Sequence, residues 1–228
     1  MDIILDTETT GLKPEIDELL QVSIIDTNGV ILLNEYIKPD RATEWTDAMR
    51  INQITPEMVA HAPSIRDPYL HAKIQHILNN ADKVIGYNTL FDIAFLAAAG
   101  FDVPNNDELT DVMIDFAEKY GELRDDGSYK WQKLTTAAAY YGYEWPVGAH
   151  NSLGDCLATL HVYNCMHKKI VTNGDKIRAM TDEELADWLT DGHDNCDICK
   201  LCSFGSCRVE SECEEGVLEW LKSEVEWK

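Results

Sequence analysis

Two carboxylates stand two residues apart near the N-terminus, in Asp6-Thr7-Glu8. On an extended strand, positions i and i+2 project from one face, so both side chains can meet a single ion. Held close and unneutralised they repel, and a divalent cation relieves that repulsion. Asp6 also reads more plainly, as the end of a strand with Thr9-Thr10-Gly11 as ordinary turn chemistry. A further acid follows in Gly86-Tyr87-Asn88-Thr89-Leu90-Phe91-Asp92. Asn88 fits an N-cap, and Asp92 then falls in the first helical turn, where the helix dipole favours an acid with or without catalysis. The third group is His150-Asn151-Ser152-Leu153-Gly154-Asp155. Ser152 with Asp155 makes a capping-box pattern that accounts for Asp155 structurally, but not for His150. Five residues on a helix turn through about 500°, so the two would not share a helical face. His150 is therefore expected in the loop entering the helix, on the open side of a site lined by Asp155. An imidazole with an ordinary pKa of about 6.5 is a ready proton acceptor there.

These groups need a scaffold. Ile3-Ile4-Leu5 reads as a short buried strand ending at Asp6. Leu19 to Thr27 and Val30 to Ile37 are apolar runs separated by Asn28-Gly29, a strong hairpin signal. Thr55-Pro56 opens a short helix, with proline at the first helical position. Ser64 to Asn80 has helical spacing, Lys83 to Tyr87 is a strand, and a helix runs from Thr89 through Ala99 to stop at Gly100. Asp111 to Tyr120, Lys133 to Tyr141 and Ser152 to Ile170 read as three more helices. A hairpin followed by alternating helix and strand predicts an α/β fold, a mixed sheet with helices packed on it.

The chain has 228 residues, 41 acidic and 19 basic, for a net charge of −22. That excludes a broad cationic face for gripping duplex phosphates. No run of about 18 apolar residues suggests a membrane span, and MDIILDTETT lacks the features of a secretory signal. A cytoplasmic location is expected. Residues 181–228 hold 14 acidic and 4 basic side chains, net −10, against 27 and 15, net −12, in the first 180. The sequence therefore divides into a body, residues 1–175, and a small acidic unit, residues 181–228.

Asp-x-Glu-Thr-Thr-Gly at residues 6–11, Asn-x-x-x-Asp at 88–92 and His-x-x-x-x-Asp at 150–155 together resemble the three motifs of the DEDDh exonucleases. That family includes the epsilon-type proofreading subunits of bacterial replicative polymerases, ribonuclease T and oligoribonuclease. The similarity takes in Ile54-Thr55-Pro56-Glu57-Met58 and Lys133-Leu134, and none of the five motif positions is substituted. The resemblance implies a ribonuclease H-like core and 3′-to-5′ release of nucleoside monophosphates from a single-stranded 3′ end. It further implies that Asp6, Glu8, Asp92 and Asp155 hold two Mg²⁺ or Mn²⁺ ions, with His150 as general base. Thr7, Thr9, Thr10, Gly11 and Leu12 would line the terminal sugar and base, Leu12 either as an apolar wedge or as a plain hydrophobic staple. Asn88 and Lys133 join the expected substrate contacts. Lys130 and Trp131 fit a strand-binding role by charge and stacking, or simply a solvated loop. An RNA-trimming or short-oligonucleotide nuclease is the alternative inside the enzyme class. Outside it stands an accessory module that binds a polymerase or other replication protein.

Cys196, Cys199, Cys202, Cys207 and Cys213 crowd into the acidic unit. Two short helices flanking such a loop would bury little, so one structural Zn²⁺ is a natural staple. Cys196, Cys199, Cys207 and Cys213 are the preferred ligands, with Cys202 spare and His193 a substitute. The spacing also approaches an iron–sulfur run, and plain reduced thiols are the third option. The segment is loosely similar to small cysteine-rich C-terminal segments of phage-type proteins, which would make the compartment a host cytoplasm. Cys156 and Cys165 have helical spacing and read as core thiols.

Overall fold

The computed structural model describes residues 1–145 and 151–167, with position 177 alone beyond them. Met1–His167 form one unit. In chain order its strands are β1 (Asp2–Thr9), β2 (Leu19–Asp26), β3 (Ile31–Tyr36), β4 (Lys83–Gly86) and β5 (Leu109–Asp111). Its helices are α1 (Thr46–Asn52), α2 (Pro56–Val59), α3 (Pro68–Asn79), α4 (Thr89–Ala98), α5 (Val112–Tyr120), α6 (Leu134–Tyr140) and α7 (Ser152–His167). The strands form one sheet in the order β3-β2-β1-β4-β5. β1 lies at its centre, antiparallel to β2 and parallel to β4. This is the mixed, helix-covered sheet that the sequence predicts.

Ile3, Ile4 and Leu5 are all fully buried, which fits a strand covered on both faces. Alternation sends Ile3 and Leu5 to one layer, with Val22, Ile24, Leu70 and Ile74 of α3, and Phe95 and Leu96 of α4. Ile4 goes to the other, with Ile25, Ile85, Phe116 of α5, Ala137 of α6, and Cys156 and Leu160 of α7. Cys156 is thus a core thiol. A smaller cluster gathers Leu20, Trp45, Ile54 and Val59.

The hairpin forms at Asn28-Gly29, but only Gly29 takes a positive φ, of 82°. The Asp26 carboxylate accepts from the amides of Asn28 and Val30, each at 2.8 Å. That fixes a longer loop than the two-residue type I′ turn, which needs both residues at positive φ. Asn88 departs further from expectation. It sits at the N-cap position of α4 with φ 68°, and its side chain makes no capping bond. Asp111 does the capping from the end of β5, accepting from the amides of Asn88 and Thr89 at 3.0 and 3.1 Å. Gly86 makes this join possible, because a Cβ there would lie 2.9 Å from Thr89 Oγ1. No helix among the described residues is long and apolar enough to cross a membrane. His150, His193 and Cys196 through Cys213, with the zinc or cluster reading attached to them, lie outside the described residues.

Candidate active site

The alternation that turns Ile4 towards α7 turns Asp6 and Glu8 the same way. There they meet Asp155 in the first turn of α7, and one carboxylate oxygen from each of the three lies within 4.8 Å of the others. Asp92 approaches from the opposite layer. Parallel pairing of β1 with β4 ends at Ile4 and Ile85, so the Thr7 amide on that edge has no strand partner. Asp92 Oδ1 accepts from this amide at 2.9 Å and from the Thr7 hydroxyl at 2.7 Å. The fold thus brings three of the four acids together and holds the fourth against the strand edge between them and α4.

A buried polar ladder sets the position of α7. Ser23, directly opposite Asp6 on β2, donates to Asn34 Oδ1 at 3.0 Å, and Gln21 Nε2 donates to the same oxygen at 2.9 Å. The Ser23 and Ser152 hydroxyls are 2.6 Å apart, and since Ser23 donates to Asn34, Ser152 is the donor. Ser152 is therefore inside the helix and bonded to the sheet, which corrects the capping box expected between it and Asp155. Asn151 stands at the helix entrance instead, its side-chain oxygen accepting from the Gly154 amide at 3.4 Å. Asp155 is three residues past this anchor.

Burial first, and crowding after it, makes the acids reluctant to ionise. Burial, and then the charges of Asp92, Asp155 and Glu8, push Asp6 well above the usual carboxylate range. Burial and then Asp155 push Glu8 up to about 8, against a bond from Asn52. Burial pushes Asp92 up to about 7, against its two bonds from Thr7. The oxygens of Asp6, Glu8 and Asp155 lie in reach of a single point, and an oxygen-only set that is costly to charge without a counter-ion fits a hard divalent cation. Cys156 lies beneath it with its thiol 3.4 Å from the Ser23 carbonyl, and burial followed by Asp6 pushes that thiol up, away from nucleophilic use.

Glu8 also borders a cleft of about 560 Å³. Thr7, Thr9, Thr10, Gly11 and Leu12 line it, as do Ala48 and Ile51 of α1 and Phe91 of α4. The Thr9 and Thr10 hydroxyls serve the loop itself. Thr9 donates to the Gly11 carbonyl at 2.6 Å, and Thr10 accepts from the Glu18 amide at 2.9 Å. A side chain at Gly11 would run into the Asp17 carboxylate. Leu12 is 79% exposed at the rim, so it staples nothing among the described residues. Asn88 and Lys133 are exposed and do not line the cleft.

Sequence reasoning missed α1 and with it Asn52, whose amide donates to the Thr9 carbonyl at 3.2 Å and bonds Glu8. The N-cap position of α1 is Trp45, which makes no side-chain capping bond. The available signal was Trp45 itself, an aromatic that buries and donates to the Ile54 carbonyl at 2.7 Å.

Residues 3–163 match the family model described as exonuclease, RNase_T. The chain is 33% identical over 175 residues to an uncharacterized exonuclease, CP81, of Escherichia phage 186, covering 73% of this chain and 88% of that one. It is 38% identical over 80 residues to exodeoxyribonuclease 10 of Escherichia coli strain K12, covering 34% and 36%. The chain thus spans only about a third of that relative. A solved structure of exonuclease X with 5′-overhanging duplex DNA covers 82% of this chain and 98% of its own, with a TM-score of 0.54 and 23% identity, which supports the fold. With three acids converging from β1 and α7, a fourth at the strand edge and the family match across the whole body, the chain belongs to the RNase T, or DEDDh, exonuclease family of nucleases.

Proposed function

We propose that this exonuclease removes nucleoside 5′-monophosphates one at a time from the 3′ end of single-stranded DNA, using two divalent ions. The convergence of Asp6, Glu8 and Asp155 beside a cleft with an apolar rim carries the reading. Asp6 and Glu8 supply ligands from one strand, while Asp92 and Asp155 supply them from helices on its two sides. Divalent ions bound there, Mg²⁺ or Mn²⁺, would lower the pKa of the attacking water and neutralise charge on the departing 3′ oxygen. His150, five residues before Asp155, takes the proton of the water. Leu12, Ile51 and Phe91 receive the terminal base by apolar contact, and the Thr9–Leu12 backbone borders its sugar. Metal-borne phosphate binding also explains how a chain of net charge −22 handles a polyanion. DNA is favoured over RNA by the similarity to exodeoxyribonuclease 10. The 31% identity to the epsilon subunit of DNA polymerase III from Buchnera aphidicola, over 41% of this chain, supports a replication protein as partner. The phage relative supports a host cytoplasm as the place of action.

Matched DNA and RNA oligomers labelled at either end test this directly. With Mg²⁺, a 5′ label should descend a one-nucleotide ladder while a 3′ label leaves at once as a mononucleotide, with DNA cut faster than RNA. Internal cuts, shortening from the 5′ end or resistance to EDTA would overturn the reading. His150→Ala should lower the rate by about 10²–10⁴-fold while the metal-induced rise in melting temperature persists. Activity that survives this change across pH 6–8 would remove His150 as the base.

A further inference from the structure

The carboxylates and the cleft leave unused an exposed arm, residues 121–133, between α5 and α6. Its conformation is well determined by its own bonds. Gly121, at φ 80°, ends α5, and Leu123 and Tyr129 then pair antiparallel. The amides of Arg124 and Lys130 donate to the carbonyls of Ser128 and Glu122, both at 2.8 Å. Gly127, at φ 81°, turns the tip. The Glu122 carboxylate accepts from Lys130 Nζ at 2.7 Å and Gln132 Nε2 at 2.9 Å.

The arm lacks the acidic excess of the chain as a whole. Residues 121–133 carry Arg124, Lys130 and Lys133 against Glu122, Asp125 and Asp126, a neutral balance in a chain of −22. Trp131 is 54% exposed and Tyr129 is 43% exposed. The Arg124 guanidinium lies over the Trp131 ring, 5.2 Å from its centroid, and supports the indole by a cation–π contact. An exposed indole held beside a cation is one way in which proteins bind single-stranded nucleic acid without reading sequence, by stacking and charge.

The arm is also tied to the right end of the sheet. The Tyr87 hydroxyl donates to the Gln132 carbonyl at 2.9 Å. Tyr87 directly follows β4, which runs parallel to β1 and so ends at the same edge where Asp6 and Glu8 stand. The next residues lead into α4 and Asp92. We infer that the arm is a landing platform for the single strand upstream of its 3′ end, with Trp131 stacking on one base and Arg124, Lys130 and Lys133 facing its phosphates. This inference deepens the proposed exonuclease reading and rests on it.

The test compares the full chain with Trp131→Ala and Trp131→Phe on two substrates. One is a 20-nucleotide oligo(dT), and the other is the p-nitrophenyl ester of thymidine 5′-monophosphate, which has no upstream strand. Trp131→Ala should raise KM for the oligomer about tenfold at little changed kcat, and Trp131→Phe should restore it, because a phenyl ring still stacks. Ester turnover should be the same in all three. An unchanged oligomer KM in Trp131→Ala, or an equal loss on the ester, would overturn the platform. Binding of labelled oligo(dT) in EDTA separates the two readings. Should wild type hydrolyse neither substrate, weaker binding by Trp131→Ala still upholds the platform, and equal binding rejects it.

Discussion

Asp6→Asn should abolish nucleolysis and yet raise the melting temperature of the metal-free protein. Asparagine keeps the shape of the side chain and is neutral without a proton, where burial and then Asp92, Asp155 and Glu8 oppose the carboxylate. Loss of one ligand from a metal site withdraws several kcal/mol of transition-state stabilisation, so a rate loss of about a thousandfold or more is expected. The same change removes a carboxyl that the native state alone, through burial and neighbouring acids, holds above its ordinary range, and each kcal/mol so gained raises Tm by roughly 2–4 °C in a protein of this size. Oligonucleotide digestion with Mg²⁺ and calorimetry in EDTA check the two halves. Retained activity would detach Asp6 from the chemistry. Activity lost together with a large fall in Tm would mean that Asp6 serves the fold instead.

Stability of the metal-free chain should fall as pH rises. Glu8 titrates at about 8 in the native state against an ordinary 4.5, and Asp92 at about 7 against 3.8. Between each pair of values the folded chain holds a proton that the unfolded chain has released. Unfolding there releases protons, so stability declines from about pH 4 to about pH 8 and these groups take no more from it above that. The metal-free Tm should therefore drop by several degrees between pH 5 and pH 8, by roughly 2–4 °C for each kcal/mol lost. Excess Mg²⁺ should flatten the slope, because a bound cation stabilises the ionised set. The growing negative charge of the whole chain pushes the same way, so Glu8→Gln is the control, and its slope should be shallower. A metal-free Tm that is level or rises over this range would contradict the electrostatics of the site.

Much of this architecture was legible in the sequence because local rules and tertiary packing agree there. The run Ile3-Ile4-Leu5 declares a strand buried on both faces, and the period of two then places Asp6 and Glu8 together without further information. The positions of Asp92 and Asp155 along their helices were equally plain. Partnership between distant elements was not legible. That Asp111, on the three-residue strand β5, would cap α4 in place of Asn88 depends on β4 and β5 lying side by side. Nothing near Ser152 in sequence announces Ser23, 129 residues away. α1 stayed hidden because Trp45 enters the helix with no capping hydroxyl or carboxylate. What holds that segment is the burial of Trp45 against Leu20, Ile54 and Val59, a long-range cause.

The acids of the site are split between two layers of the molecule, Asp155 on α7 across one face of the central strand and Asp92 on α4 across the other. Neither half of the protein owns a working blade. If the four acids act together as proposed, a nascent or partly melted chain with one helix adrift from the sheet carries an incomplete set of anions and would leave nucleic acid intact. Under the proposed mechanism, destructive capacity would require both layers to be docked on the central strand, a safeguard that comes with the alternation of that strand.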